Sequence, residues 1–120
     1  MAGEEYIKVA TSNLQRAIVI KQNEANDIRR QIRDLDGERH RKKQEIESRI
    51  NSNNAQAVSN NTNDIQRANL LRENAQLEAE KSRVDHDFDY KRTDLERKLR
   101  EKEDEWRDIQ DKMGELGTLV

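Results

Sequence analysis

Along the first half of the chain, apolar residues climb one ladder of alternating three- and four-residue steps. Ile7, Leu14, Ile18, Ala25, Ile28, Ile32, Leu35 and Ile46 all stand on it. With positions 11, 18, 25, 32, 39 and 46 as a and 7, 14, 21, 28, 35 and 42 as d, the heptads run without interruption. This is the repeat of an α-helical coiled coil. Thr11, Lys21, Arg39 and Lys42 are its polar rungs. No proline occurs to stop such a helix, and Gly37 falls off the ladder, where it costs about 1 kcal/mol without breaking the helix.

The second half repeats the pattern less strictly. Leu95, Leu99, Trp106, Ile109, Met113, Leu116 and Val120 keep steps of three and four, with Lys102 as the polar entry, and Leu70, Leu77 and Val84 lie upstream. Between Val84, Phe88, Leu95, Leu99 and Trp106 the steps alternate four and seven. An eleven-residue repeat of this kind removes left-handed supercoil and predicts a locally straight helix. Acid-to-base pairs four residues apart, such as Glu38–Lys42, Glu45–Arg49, Asp94–Lys98 and Glu103–Arg107, line the polar faces. Each adds about 0.2–0.5 kcal/mol of helix stability.

Between the two ladders lies NSNNAQAVSNNTND, residues 51–64. Asparagine competes for backbone hydrogen bonds inside helices and tolerates the left-handed conformation that ends them. Asn63 with Gln66 has the spacing of a capping box. If the chain reverses here, facing residues have numbers with a constant total. Ile7 with Trp106, Leu14 with Leu99, Ile18 with Leu95 and Ala25 with Phe88 all total 113. Beside such a seam, acids such as Glu73 and Glu78 are expected to reach Arg39 and Lys42. The predicted architecture is all-α: two long helices forming a single antiparallel coiled-coil hairpin. Helix 1 spans about 4–50, an Asn-rich turn about 51–62, helix 2 about 63–113, and a short tail 114–120. The expected seam is Ile7, Leu14, Ile18, Ala25, Ile28, Ile32, Leu35, Leu77, Val84, Phe88, Leu95, Leu99 and Trp106.

Composition narrows the function classes. Apolar residues are 32% and charged residues 40% of the 120, against roughly 45–50% and about 25% in ordinary globular domains. A thin helical rod is expected, without the concave pocket that catalysis needs. No enzymatic activity, cofactor or small-molecule substrate is therefore predicted. The chain contains no cysteine, which excludes disulfides and thiolate chemistry. Its net charge of −2 comes from interspersed signs, and a nucleic-acid binder usually presents a basic excess on one face. Neither a membrane-spanning run nor a basic, then apolar, leader is present, so a cytoplasmic location is expected.

Two motifs resemble ion or phosphate sites. In DHDFDYKRTDLE, Asp85, Asp87, Asp89 and Glu96 have the spacing of a calcium loop, but Tyr90 stands where glycine makes the turn. A helix also points Asp85 and Asp87 to nearly opposite sides. His40 and His86 are expected far apart, so no metal site is predicted. RHRKK, residues 39–43, is flanked by Glu38, Glu45 and Glu47 and reads as part of a mixed helical surface.

A second apolar group remains on helix 1: Tyr6, Val9, Ala10, Ala17, Val19 and Ile20. Under the pairing above, past Ile109 the residues Met113, Leu116, Leu119 and Val120 have nothing on helix 1 to face. These residues together predict a sticky base, and two hairpins are expected to pair there into a dimeric four-helix bundle. The functional expectation is a non-enzymatic structural or assembly protein acting by self-association or by docking a partner helix. The alternative is a small helical chaperone or adaptor that holds a client at the same base.

Overall fold

The computed structural model describes residues 2–118, with side chains from residue 3; Leu119 and Val120 lie outside the described residues. Two α-helices carry it, α1 over Ala2–Ala57 and α2 over Asp64–Thr118. No strand occurs among the described residues.

α1 runs on from Ile50, its expected end, to Ala57. The cause is a seam that continues through the asparagines. Ile46, Asn53 and Ala57 are buried and Ile50 is half-buried, keeping steps of three and four. Asn53 is tolerated at such a position because its amide Nδ2 donates to Asn74 Oδ1 at 2.9 Å, and Asn74 in turn donates to Asn54 Oδ1 at 2.9 Å. α2 likewise continues through the expected tail. Gly114 and Gly117 lie inside the helix, Leu116 is half-buried, and Thr118 Oγ1 donates to the Glu115 carbonyl at 2.7 Å.

The reversal occupies residues 58–63 and uses no left-handed asparagine: no described residue has a positive φ. Side-chain caps close it instead. Asn63 Oδ1 accepts the Gln66 N–H at 2.8 Å while Gln66 Oε1 accepts the Asn63 N–H at 3.1 Å, a complete capping box. Arg67 Nε donates to the Ala57 carbonyl at 2.7 Å, and Thr62 Oγ1 donates to that of Gln56 at 2.6 Å. The last two carbonyls of α1, which have no partner within the helix, are satisfied this way.

The chain divides into two compact units, a turn unit of Arg33–Arg92 and a terminal unit of Met1–Ile32 with Thr93–Val120. In the turn unit the helices run antiparallel, and ion pairs give the register. Asp36 pairs with Arg92, Lys43 with Asp85 and Glu47 with Lys81, so facing numbers total 128. Arg39 is engaged through all three of its guanidinium nitrogens. Its Nε and Nη2 donate to Asp85 Oδ1 at 3.0 and 2.7 Å, and its Nη1 to Asp89 Oδ1 at 2.7 Å. Those aspartates bracket Phe88, which is 3% exposed and carries the Lys42 and Lys91 ammonium groups 5.2 and 5.4 Å from its ring centroid.

Here the α1 heptads slip. The half-buried rung after Arg39 is Lys43, and Lys42 is exposed, so Leu35, Arg39 and Lys43 make two successive steps of four. The eleven-residue phase expected on the second helix thus appears on α1 as well, opposite Phe88, where a large ring needs the space. Glu73 reaches Arg49 at 3.7 Å rather than Arg39 or Lys42.

In the terminal unit, Lys21 pairs with Glu105 at 2.7 Å and Glu24 with Lys102 at 2.8 Å, so facing numbers total 126. The register totalling 113 is therefore replaced. Ala25, buried to 1% exposure, stands level with Lys102 rather than with Phe88. The reason is electrostatic. The longer register places Lys21 and Lys102, the ladder cations of this unit, beside Glu105 and Glu24, whereas the shorter one sets Lys21 level with Arg92 and Lys102 level with Thr11.

Candidate association surface

The terminal unit leaves α1 with two faces. Its inner face forms the seam with α2: Ala25 and Ile28 are buried, and Ile7, Leu14, Ile18 and Ile32 half-buried, as are Leu95, Leu99 and Trp106 on α2. In the turn unit the predicted seam residues Leu77 and Phe88 are buried, and Leu35 and Val84 half-buried.

The register decides which predicted surface residues remain outside. Ile109, Met113 and Leu116 are all half-buried, and at a total near 126 they stand about level with Ile18, Leu14 and Thr11. They belong to the seam, because α1 does not run out before α2 does. Four others are exposed: Tyr6 at 74%, Val9 at 59%, Val19 at 53% and Ile20 at 55%. Ala10 and Ala17 are half-buried. Tyr6, Ala10, Ala17 and Ile20 share one flank at helical spacing, with Val9 at its outer edge. Val19 is one residue from Ile20, hence about 100° around the helix, and points elsewhere.

Just past this flank along α1 lies a charge cluster. Lys21 Nζ sits 2.7 Å from Glu105 and 3.8 Å from Glu24, and Lys102 Nζ 2.8 Å from Glu24 and 3.8 Å from Glu105. Lys102 holds the Glu24 carboxyl below its ordinary range, and Lys21 does the same for Glu105. Arg29 reaches Glu103 at 3.0 Å. The cluster pins the two helices and leaves the apolar flank of α1 as the surface without an α2 counterpart.

The turn unit has exposed apolar residues that the sequence did not single out. Val58 is 81% exposed, Ile65 75%, Leu71 54% and Tyr90 80%. Val58 opens the reversal and Ile65 follows it, where polar neighbours hid them; the signal was that neither falls on a ladder. They are scattered rather than aligned, and single exposed apolar residues are normal.

The acidic run is helical, and its first and third aspartates are engaged: Asp85 and Asp89 hold Arg39, and Asp85 also receives Lys43 at 3.2 Å. No group of three or more metal-ligating residues converges among the described residues. No helix of the described residues is long and apolar enough to cross a membrane. No family model matches this chain, and no curated protein or solved structure matches it.

Proposed function

We propose that this protein is a non-enzymatic coiled-coil assembly element, a helical spacer that acts by associating through the outer flank of α1. One observation carries the reading. Tyr6, Val9 and Ile20 stay more than half exposed although the seam of the same helix segment is already occupied by α2. A helix that has satisfied its inner stripe and still presents a second stripe at 3/4 spacing has the pattern of a helix packed on two sides. The reversal end, closed by caps and lined with amides, offers no comparable stripe.

Sedimentation velocity of the wild type and of Ile20→Glu tests the reading. An oligomeric wild type and a lighter variant with unchanged helical circular dichroism support it. A monomeric wild type, alone and with its native binding partners absent or present, contradicts it. The adaptor reading uses the same flank for a helical client, and a stoichiometric complex with an unrelated chain in place of self-association would select it.

A further inference from the structure

The face of α2 turned away from the seam changes sign along its length. α2 is one unbroken helix over Asp64–Thr118, and at 100° per residue its positions keep a fixed phase. Arg72, Gln76, Ala79, Arg83, His86 and Tyr90 share this outward face, and all are exposed. None is acidic; Glu80 and Asp87 stand at the edge of the face. Further along, the same face carries Glu101, Asp104, Asp108 and Glu115, also exposed. Among the described residues, Arg72 and Arg83 make no ion pair, nor do Asp108 and Glu115.

The separations match as well as the signs. Arg72 and Arg83 are eleven residues apart, and so are Asp104 and Glu115. Eleven residues close about three turns of helix, so each pair stands nearly in line. We infer that this face is a second, electrostatic contact between copies of the chain, distinct from the α1 flank. Two α2 helices lie antiparallel in it, and the arginine half of each meets the acidic half of the other.

With facing numbers totalling 187, Arg72 stands opposite the partner's Glu115, Arg83 opposite the partner's Asp104 and His86 opposite the partner's Glu101. Tyr90, 80% exposed, comes level with the partner's Arg97, whose guanidinium suits an aromatic face. Lys112, the cation of the acidic half, falls level with the partner's Ala75 and meets no like charge. Two-fold symmetry makes every one of these contacts twice. A parallel pair, staggered so that Arg72 meets the partner's Asp104 and Arg83 the partner's Glu115, makes each once and leaves the other halves open. Exposed ion pairs are individually weak, so the contact sets orientation more than affinity. Val58 and Ile65 at the reversal lie outside the paired stretch.

Tyr6→Glu with Ile20→Glu serves as the background, so that the α2 contact is read apart from the α1 flank. Sedimentation equilibrium should show a weak dimer at low salt. It should dissociate as salt rises from about 0.01 M to about 1 M and the screening length falls from about 30 Å to about 3 Å. Two charge-reversed copies are then compared, one with Arg72→Glu and Arg83→Glu, the other with Asp104→Arg and Glu115→Arg. Each alone should associate at least about tenfold more weakly at low salt, since like charges now face one another. An equimolar mixture should recover the dimer, because every reversed charge then meets its opposite. A background monomer at low salt, reversed copies that still associate, or a mixture without recovery overturns the inference. Growth past the dimer marks the staggered parallel pairing and also overturns it. None of these outcomes touches the association reading above, which fails instead if the flank substitutions leave high-salt association at the wild-type level.

Discussion

The turn unit and the terminal unit are built from the same two helices but bury different groups at their seams. The turn unit uses polar groups inside its seam. Asn53 is a buried polar residue, Arg39 occupies a seam rung between Asp85 and Asp89, and Phe88 is enclosed by two lysines. Such contacts are satisfied in one register only. The terminal unit has a plainer seam, with Ala25 and Ile28 as its buried members, pinned by the four-residue charge cluster. It directs its surplus apolar residues outward. Seam polarity thus specifies how the chain pairs with itself, and the outward stripe is what remains for another molecule.

Removing the ring at the centre of the turn unit should have the largest effect. Phe88→Ala is expected to cost about 3 kcal/mol, the low end for a buried phenylalanine because a two-helix seam can partly collapse. Urea unfolding measures this, and hydrogen exchange should show amides of residues 33–92 losing protection ahead of those in the terminal unit. Equal loss in both would show that the units do not differ in what holds them.

The amide pair sharpens the comparison further. Asn53→Ala leaves the Asn74 Oδ1 without its donor and should destabilise by roughly 1–3 kcal/mol. Replacing both by leucine should restore stability while relaxing the register, since the polar pair contributes specificity more than energy. Cysteine pairs placed across the helices at positions 47 and 81 read the register. A double-leucine variant that keeps a single register would show that Arg39 alone suffices to set it. Asn63→Ala, which removes half of the capping box, should cost about 1 kcal/mol, again by urea unfolding.

The smallest effects are those of pH. Arg39 foremost, then Lys43, holds the Asp85 carboxyl below its ordinary range, and Lys81 does so for Glu47, as Lys102 and Lys21 do for Glu24 and Glu105. A lowered carboxyl in the folded state contributes stability that is fully present above the unfolded value and is lost as pH falls through the folded value. Thermal midpoints should therefore decline below about pH 4. Lys81 and Lys102 are raised by Glu47 and Glu24, so their contribution is present at neutral pH and lost above about pH 10.5. Asp85→Asn should flatten the acid limb for the turn unit and leave that of the terminal unit unchanged.

The periodicity of Ile7, Leu14, Ile18, Ile28 and Ile32 made the two helices, their reversal and the seam face legible, because helix phase is a local property of spacing. The register was not, because any shift of a whole heptad returns apolar residues to apolar neighbours. Ile18 sits as well beside Leu95 as beside Ile109 on hydrophobicity alone. The discriminating terms were Lys21, Lys102 and Asn53, which the ladder counts as defects and the structure uses as selectors. The shift from Lys42 to Lys43 was hidden for a related reason: one extra residue of phase, level with Phe88 on the other helix, cannot be seen in α1 alone. The surface prediction divided along the same line. Tyr6, Val9 and Ile20 depended only on α1 phase, whereas Ile109, Met113 and Leu116 depended on the register.

The central claim is that association belongs to the terminal unit and not to the turn. Sedimentation equilibrium of paired variants tests it most directly: Tyr6→Glu with Ile20→Glu on the α1 flank, against Val58→Glu with Ile65→Glu at the reversal. The account predicts at least about tenfold weaker self-association for the first pair, since each change removes apolar burial and introduces an unpaired charge, and wild-type association for the second. Loss of association in the reversal pair, with the flank pair unaffected, would contradict it.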